Sequence, residues 1–135
     1  MRYASLIALF LSFIYCQYDY SLEDLNPSSE HFGDSIGVSY FTPKVTLHYF
    51  GHYTWGTCGF RFEQLNELSN SLISESIDLQ LIGIGKETQI SSISNWTDDV
   101  DAPVCADPYP FDIWNEFEAG QRDLIIMDKN GDLAY

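Results

Sequence analysis

The run Val45-Thr46-Leu47-His48-Tyr49-Phe50 is rich in β-branched and aromatic residues, is introduced by Pro43 and stops at Gly51, and by Cys58 the hydrophobic period has changed. The run reads as a buried strand. Downstream, Cys58, Phe62, Leu65, Leu68 and Leu72 recur at three to four positions while Glu63, Asn66, Glu67 and Asn70 fall opposite, which predicts an amphipathic helix. A strand that feeds a helix through a short glycine-containing loop points to an α/β architecture. Residues 77–84 supply a second interior strand, with Gly83 and Gly85 at its far end.

The remaining segments extend this pattern. Ile90 and Ile93 suit a short helix, and a loop dense in proline and acid follows over 98–110, carrying Cys105. Phe111, Ile113, Trp114 and Phe117 then share a helical face that Gly120 would close. Residues 124–128, the turn Lys129-Asn130-Gly131 and residues 132–135 read as a strand, an Asn-Gly turn and a return strand. Asp128, Asn130 and Asp132 have the spacing that opens a calcium-binding helix-loop-helix, but Leu133 stands where glycine is needed and a hairpin replaces the helices. The order strand, helix, strand, helix, helix, strand, strand predicts a mixed sheet flanked by helices. Residues 17–42 read as an irregular lead-in with one short helix near Leu22, which places the domain at 43–135.

The N-terminus sets the expected compartment. Arg2 is followed by an uncharged apolar stretch to Cys16 and then by polar Gln17-Tyr18-Asp19, the n-region and h-region of a secretory signal spanning 1–16. The stretch is too short to span a bilayer comfortably, so a secreted, extracellular protein without a membrane anchor is expected. Loss of Arg2 leaves five Lys and Arg against 20 Asp and Glu, a net charge of −15. Such a surface repels phosphate backbones, anionic lipid and sulfated glycans, which argues against nucleic-acid or heparin partners. A content of 45% hydrophobic and 16% aromatic residues nevertheless demands a packed core. Export also makes Asn95-Trp96-Thr97 a glycosylation acceptor at Asn95 and permits a disulfide between Cys58 and Cys105 if geometry allows. His31, His48 and His52 are too few and too scattered for a metal cage, and Asp98, Asp99 and Asp101 read as a solvated acidic loop; no metal is expected.

The chemistry concentrates at the join of first strand and first helix, His52-Tyr53-Thr54-Trp55-Gly56-Thr57-Cys58. Here the chain resembles the thioredoxin superfamily, in which a redox loop with two chalcogens separated by two residues lies between a strand and a helix. Several ordered blocks are also similar to the N-terminal domain of selenoprotein P: the strand from Val45, the loop ending at Cys58, the Leu65 and Leu68 helix, Asp112-Ile113-Trp114-Asn115-Glu116-Phe117, and Asp123 to Tyr135. The resemblance implies a thioredoxin-like fold over about Lys44 to Tyr135, with that family's closing helix not represented. It implies a selenium-associated redox role toward a peroxide or disulfide, with Cys58 as the resolving cysteine and Trp55 at the selenocysteine position.

Two departures bear on that role. An indole has no ionisable chalcogen, so Trp55 cannot attack a disulfide or peroxide. Thioredoxins also place a cis-proline just before the strand that starts here at Leu124, where this chain has Gln121-Arg122-Asp123. Three functions therefore stand open. The first is a redox protein whose position 55 is in truth selenocysteine, specified by UGA, one base from tryptophan's UGG. The second is a redox-inactive binding module that presents His52, Tyr53 and Trp55. The third is a single-thiol oxidoreductase in which Cys58 attacks and Cys105 resolves. No other cofactor is expected.

Overall fold

The computed structural model describes residues 18–135; the signal segment expected at 1–16 lies outside the described residues. In chain order the elements are strands β1 (Leu22–Glu23) and β2 (Ser35–Ile36), helix α1 (Val38–Phe41), strand β3 (Val45–Phe50), helix α2 (Gly56–Ser74) and strand β4 (Leu79–Lys86). A 3-10 helix (Glu87–Ser92) leads to α3 (Ser94–Thr97), β5 (Val104–Asp107), α4 (Asp112–Glu116) and β6 (Leu124–Met127).

The central sheet has the order β5-β4-β3-β6. β3 runs parallel to β4, with Val45 opposite Leu79 and Phe50 opposite Ile84. β4 runs parallel to β5, with Gly83 opposite Val104. β6 is antiparallel to β3, with Thr46 opposite Met127. This is the mixed, helix-flanked α/β sheet that the order of predicted elements implies.

Alternation along the strands divides the core between two faces. Phe50, Ile82, Ile84, Cys105 and Met127 pack in one cluster with Tyr20, Ile36, Val38, Phe41, Trp114 and Phe117. Tyr49, Leu81 and Val104 point the other way and pack with Tyr53, Cys58, Phe62 and Trp96. Two glycines of β4 are needed for aromatic rings to lie on the sheet. A Cβ on Gly83 would stand 2.6 Å from the Phe62 ring, and one on Gly85 would stand 2.2 Å from the Tyr53 ring.

Four expectations are corrected. The lead-in belongs to the fold: Tyr20, Ile36, Val38 and Phe41 are core residues, the segment near Leu22 is a strand, and Leu25 N–H donates to the Val104 carbonyl at 2.8 Å. The supposed loop at 98–110 contains β5, whose four residues are too few to show a period between proline and acid. The return strand after Gly131 is reduced to a single bridge between Met127 and Leu133. Finally, the buried stripe of α2 is Cys58, Phe62, Asn66 and Ser69, while Leu68 is 54% exposed.

His48 sits on the central strand, fully buried, with the Tyr20 hydroxyl 2.9 Å from Nδ1 and the Thr46 hydroxyl 2.8 Å from Nε2. Burial pushes its pKa down to about 3. In the unfolded chain the same imidazole titrates near 6.5, so between about pH 6.5 and 3 the unfolded state holds the extra proton. Stability is therefore lost as pH falls through that window, by up to about 1.4 kcal/mol per pH unit from this group. Urea unfolding at pH 6 and pH 4.5 is expected to show a fall about 2 kcal/mol larger in the wild type than in His48→Gln.

Candidate functional site: the loop between β3 and α2

The loop is held from below by Tyr53. Its side chain is fully buried, and its hydroxyl donates to the Cys105 carbonyl and accepts from Gly85 N–H at 3.2 Å. Its backbone N–H donates to Gln89 Oε1 at 3.1 Å, and its carbonyl accepts from Asn95 Nδ2 at 2.8 Å. Burial pushes the Tyr53 phenol far above its usual value, so it remains a neutral donor.

Two residues on, Trp55 is the N-cap of α2, with extended backbone (φ −105°, ψ 115°). Its carbonyl accepts from Cys58 N–H at 2.9 Å and Gly59 N–H at 3.3 Å, which closes the first turn. The indole itself is 55% exposed. The ring lies 6.0 Å from His52, and His52 lies 5.8 Å from Trp114, forming an aromatic row that Gln89 steadies through the His52 imidazole.

Cys58 faces inward from the first turn and is completely buried. Gln121 Nε2 approaches its Sγ at 3.5 Å, and the Tyr49 hydroxyl donates to its carbonyl at 3.3 Å. Burial, aided by Cys58, raises the Tyr49 phenol to about 12, against the opposing pull of Arg61 and Arg122. The segment Gln121-Arg122-Asp123 thus stands beside the loop, in the place where the sequence lacks the expected proline. It is tied there by Arg122 N–H to the Phe50 carbonyl at 2.7 Å and Phe50 N–H to the Asp123 carbonyl at 2.9 Å.

Cys105 is placed elsewhere. It lies in β5 with its side chain on the opposite face of the sheet from Cys58, and both cysteines are buried free thiols. The disulfide considered for this pair is not formed, and the sheet standing between the side chains is the reason. The same separation removes Cys105 as a resolving partner for Cys58. Burial, with Asp24 adding, raises the Cys105 thiol far above its ordinary value and keeps it protonated.

Asn95 is exposed on α3, next to buried Trp96 and Thr97, and its amide nitrogen is the donor to the Tyr53 carbonyl. His31 and His52 lie apart from His48, His31 beside Tyr40 and Phe41. Tyr53 figured in the sequence only as a surface aromatic; Gln89 carried no local signal, because its role depends on a contact made across 37 residues of chain.

The parallel β3-α2-β4 unit, the loop at its head and the antiparallel β6 define a thioredoxin-like α/β domain. The chain is similar to dsbF from Mycobacterium tuberculosis (14% identity, TM-score 0.69), covering 89% of this chain and 84% of that one. It is likewise similar to a secreted disulfide oxidoreductase of Mycobacterium tuberculosis (13%, TM-score 0.64, 87% and 82%) and to a thioredoxin-like protein from Bacteroides vulgatus (18%, TM-score 0.68, 86% and 73%). At these identities the likeness establishes the fold. No protein family and no curated protein matches the sequence.

Burial of both sulfurs has a direct readout. In the native protein Cys58 and Cys105 are expected to react with a thiol reagent at least about a hundredfold more slowly than in guanidinium chloride, because access requires opening of the fold. Rapid native labelling of Cys58 would contradict the placement described.

Proposed function

We propose that this chain, as its sequence stands, is a secreted thioredoxin-fold binding module that contacts its partner through the aromatic row around Trp55. One observation carries the reading: an exposed indole stands three residues before Cys58, where the resemblance implies the attacking chalcogen, while the sulfur of the loop is wholly buried. Thiol-disulfide exchange begins with an accessible thiolate and ends with a second sulfur that displaces the first. Among the described residues the loop has neither an accessible thiol nor a second thiol within reach. What it does present is a large rigid aromatic side chain on a fixed helix end, the kind of residue that dominates binding energy at protein interfaces. Secretion rests on the charged and apolar regions at 1–16.

Reduction of insulin disulfides or of hydrogen peroxide tests this. The wild type and Cys58→Ser are expected to be equally inactive above background. Turnover that depends on Cys58 would overturn the proposal and restore a single-thiol oxidoreductase.

A second reading is favoured by the position of residue 55 itself, exposed at the helix N-cap three residues before Cys58. If the residue is selenocysteine, the chain is a selenoprotein P-like redox domain. Its selenolate would attack a peroxide oxygen, releasing alcohol and leaving a selenenic acid. The Cys58 thiol would then attack selenium and expel water, giving a selenium-sulfur bond that an external thiol must reduce. The reading predicts UGA at codon 55 and a selenocysteine insertion element downstream. A UGG codon disproves it.

A further inference from the structure

Helix α2 is amphipathic in an unexpected sense beyond its first two turns. It buries Asn66 (6% exposed) and Ser69 (3%) while turning Leu68 (54%) and Ile73 (47%) outward. Ser69 Oγ is buried and has no hydrogen-bond partner among the described residues. A helical serine ordinarily bonds back to the carbonyl one turn earlier or faces water, so a buried, unpartnered hydroxyl calls for a ligand or water to complete it.

Ser69 is also one of the residues lining a cleft of about 320 Å³ between the second half of α2, the 28–31 segment of the lead-in and residues 101–103. Leu81, Ile73 and Pro103 supply aliphatic wall, and Glu30 and Asp101 supply carboxylates. Asp101 Oδ1 is fixed by Asn70 Nδ2 at 3.0 Å, and Asn66 Oδ1 is committed to Ala102 N–H at 3.1 Å. His31 Nε2 lies 3.3 Å from Glu30 Oε1. A neighbouring opening shares Asn66, Asn70 and Asp101 and adds Asp98 and Asp99. Among the described residues, no Lys or Arg lines either opening.

We propose that this cleft binds a small aliphatic primary amine. An alkylammonium carries three donors and no acceptor, which matches carboxylates and a hydroxyl lone pair, and its methylenes match the aliphatic wall. The volume lies at the small end of ligand pockets, and a net charge of −14 draws cations toward the surface as a whole. Among the described residues, no group of three His, Cys, Asp or Glu is placed to hold a metal ion, which favours an organic cation.

Calorimetric titration of the full chain with 1,4-diaminobutane, 1,4-butanediol and succinate tests the proposal. One saturable site for the diamine is expected, with the diol at least tenfold weaker and succinate not bound. Glu30→Gln with Asp101→Asn, both at the surface, is expected to weaken the diamine tenfold or more, while Glu116→Gln on the distant α4 leaves it unchanged. Ser69→Val, with folding checked by circular dichroism, is expected to abolish binding. Non-saturable binding, equal affinity for the diol, or an equal loss in Glu116→Gln would overturn the site as one of general surface charge. Tighter binding of Nα-acetyl-lysine amide than of the diamine would overturn the free amine in favour of a partner's lysine side chain.

Discussion

The loop at the head of α2 depends on Tyr53. A phenol seated over Gly85, bridging the Gly85 N–H of β4 and the Cys105 carbonyl of β5, fixes the loop to two strands at once. The backbone of the same residue is held by Gln89 and Asn95, so side chain and main chain are both anchored. Because Trp55 follows two residues later and its carbonyl closes the first turn of α2, the direction in which the helix starts is set by this anchor. Gly85 is its complement, since any side chain there would displace the ring.

Strand parity decides what the sulfurs can do. Successive residues of a strand project to opposite faces, and the partition of Tyr49 from Phe50, and of Val104 from Cys105, follows that rule. Cys58 descends from α2 onto the Tyr49 face. Cys105 lies on the other. No side-chain rotation brings them together across a packed sheet, so the two cysteines, which sequence alone allows to pair, are separated by the arrangement of the fold.

The parts of the fold legible in the sequence were those with long or strongly periodic signals. Val45–Phe50 is a full run of strand formers, the α2 segment keeps a helical period, and Phe111, Ile113, Trp114 and Phe117 mark α4. β1 and β2 have two residues each, too few to show a pattern, and β5, no shorter than β6, is hidden because its apolar residues Val104, Cys105 and Ala106 sit between proline and acid. Their structure comes from pairing partners distant in sequence, as when Asp24 Oδ1 accepts from Val104 N–H at 3.1 Å. The α2 stripe departs from the sequence pattern for a related reason. The leucines at 65, 68 and 72 have the period of a buried face, and Leu65 does pack against the core, yet Leu68 is exposed because β4 and the segment at 101–103 meet the neighbouring face, which carries Asn66 and Ser69. At the site, Trp55 and Cys58 could be found from their spacing within the loop. Gln121, Gln89 and the anchoring role of Tyr53 could not, since each acts through contacts across tens of residues.

Position 55 carries little of the burden of folding. An N-cap side chain usually bonds the free N–H groups of the first turn, and Ser, Thr, Asp and Asn are preferred for that reason. Trp55 makes no such bond; only its carbonyl closes the turn, and its ring projects into solvent. The fold therefore asks for an extended backbone at this position and is nearly indifferent to the side chain. Cys58 differs, since it is enclosed by Gly51, Gln121 and the aromatic cluster, where a change of volume is felt by its neighbours. A fold that tolerates many side chains at 55 leaves function to decide among them. An indole there, a poor cap with a large contact area, fits a surface used for contact, just as a selenol there would fit a surface used for attack.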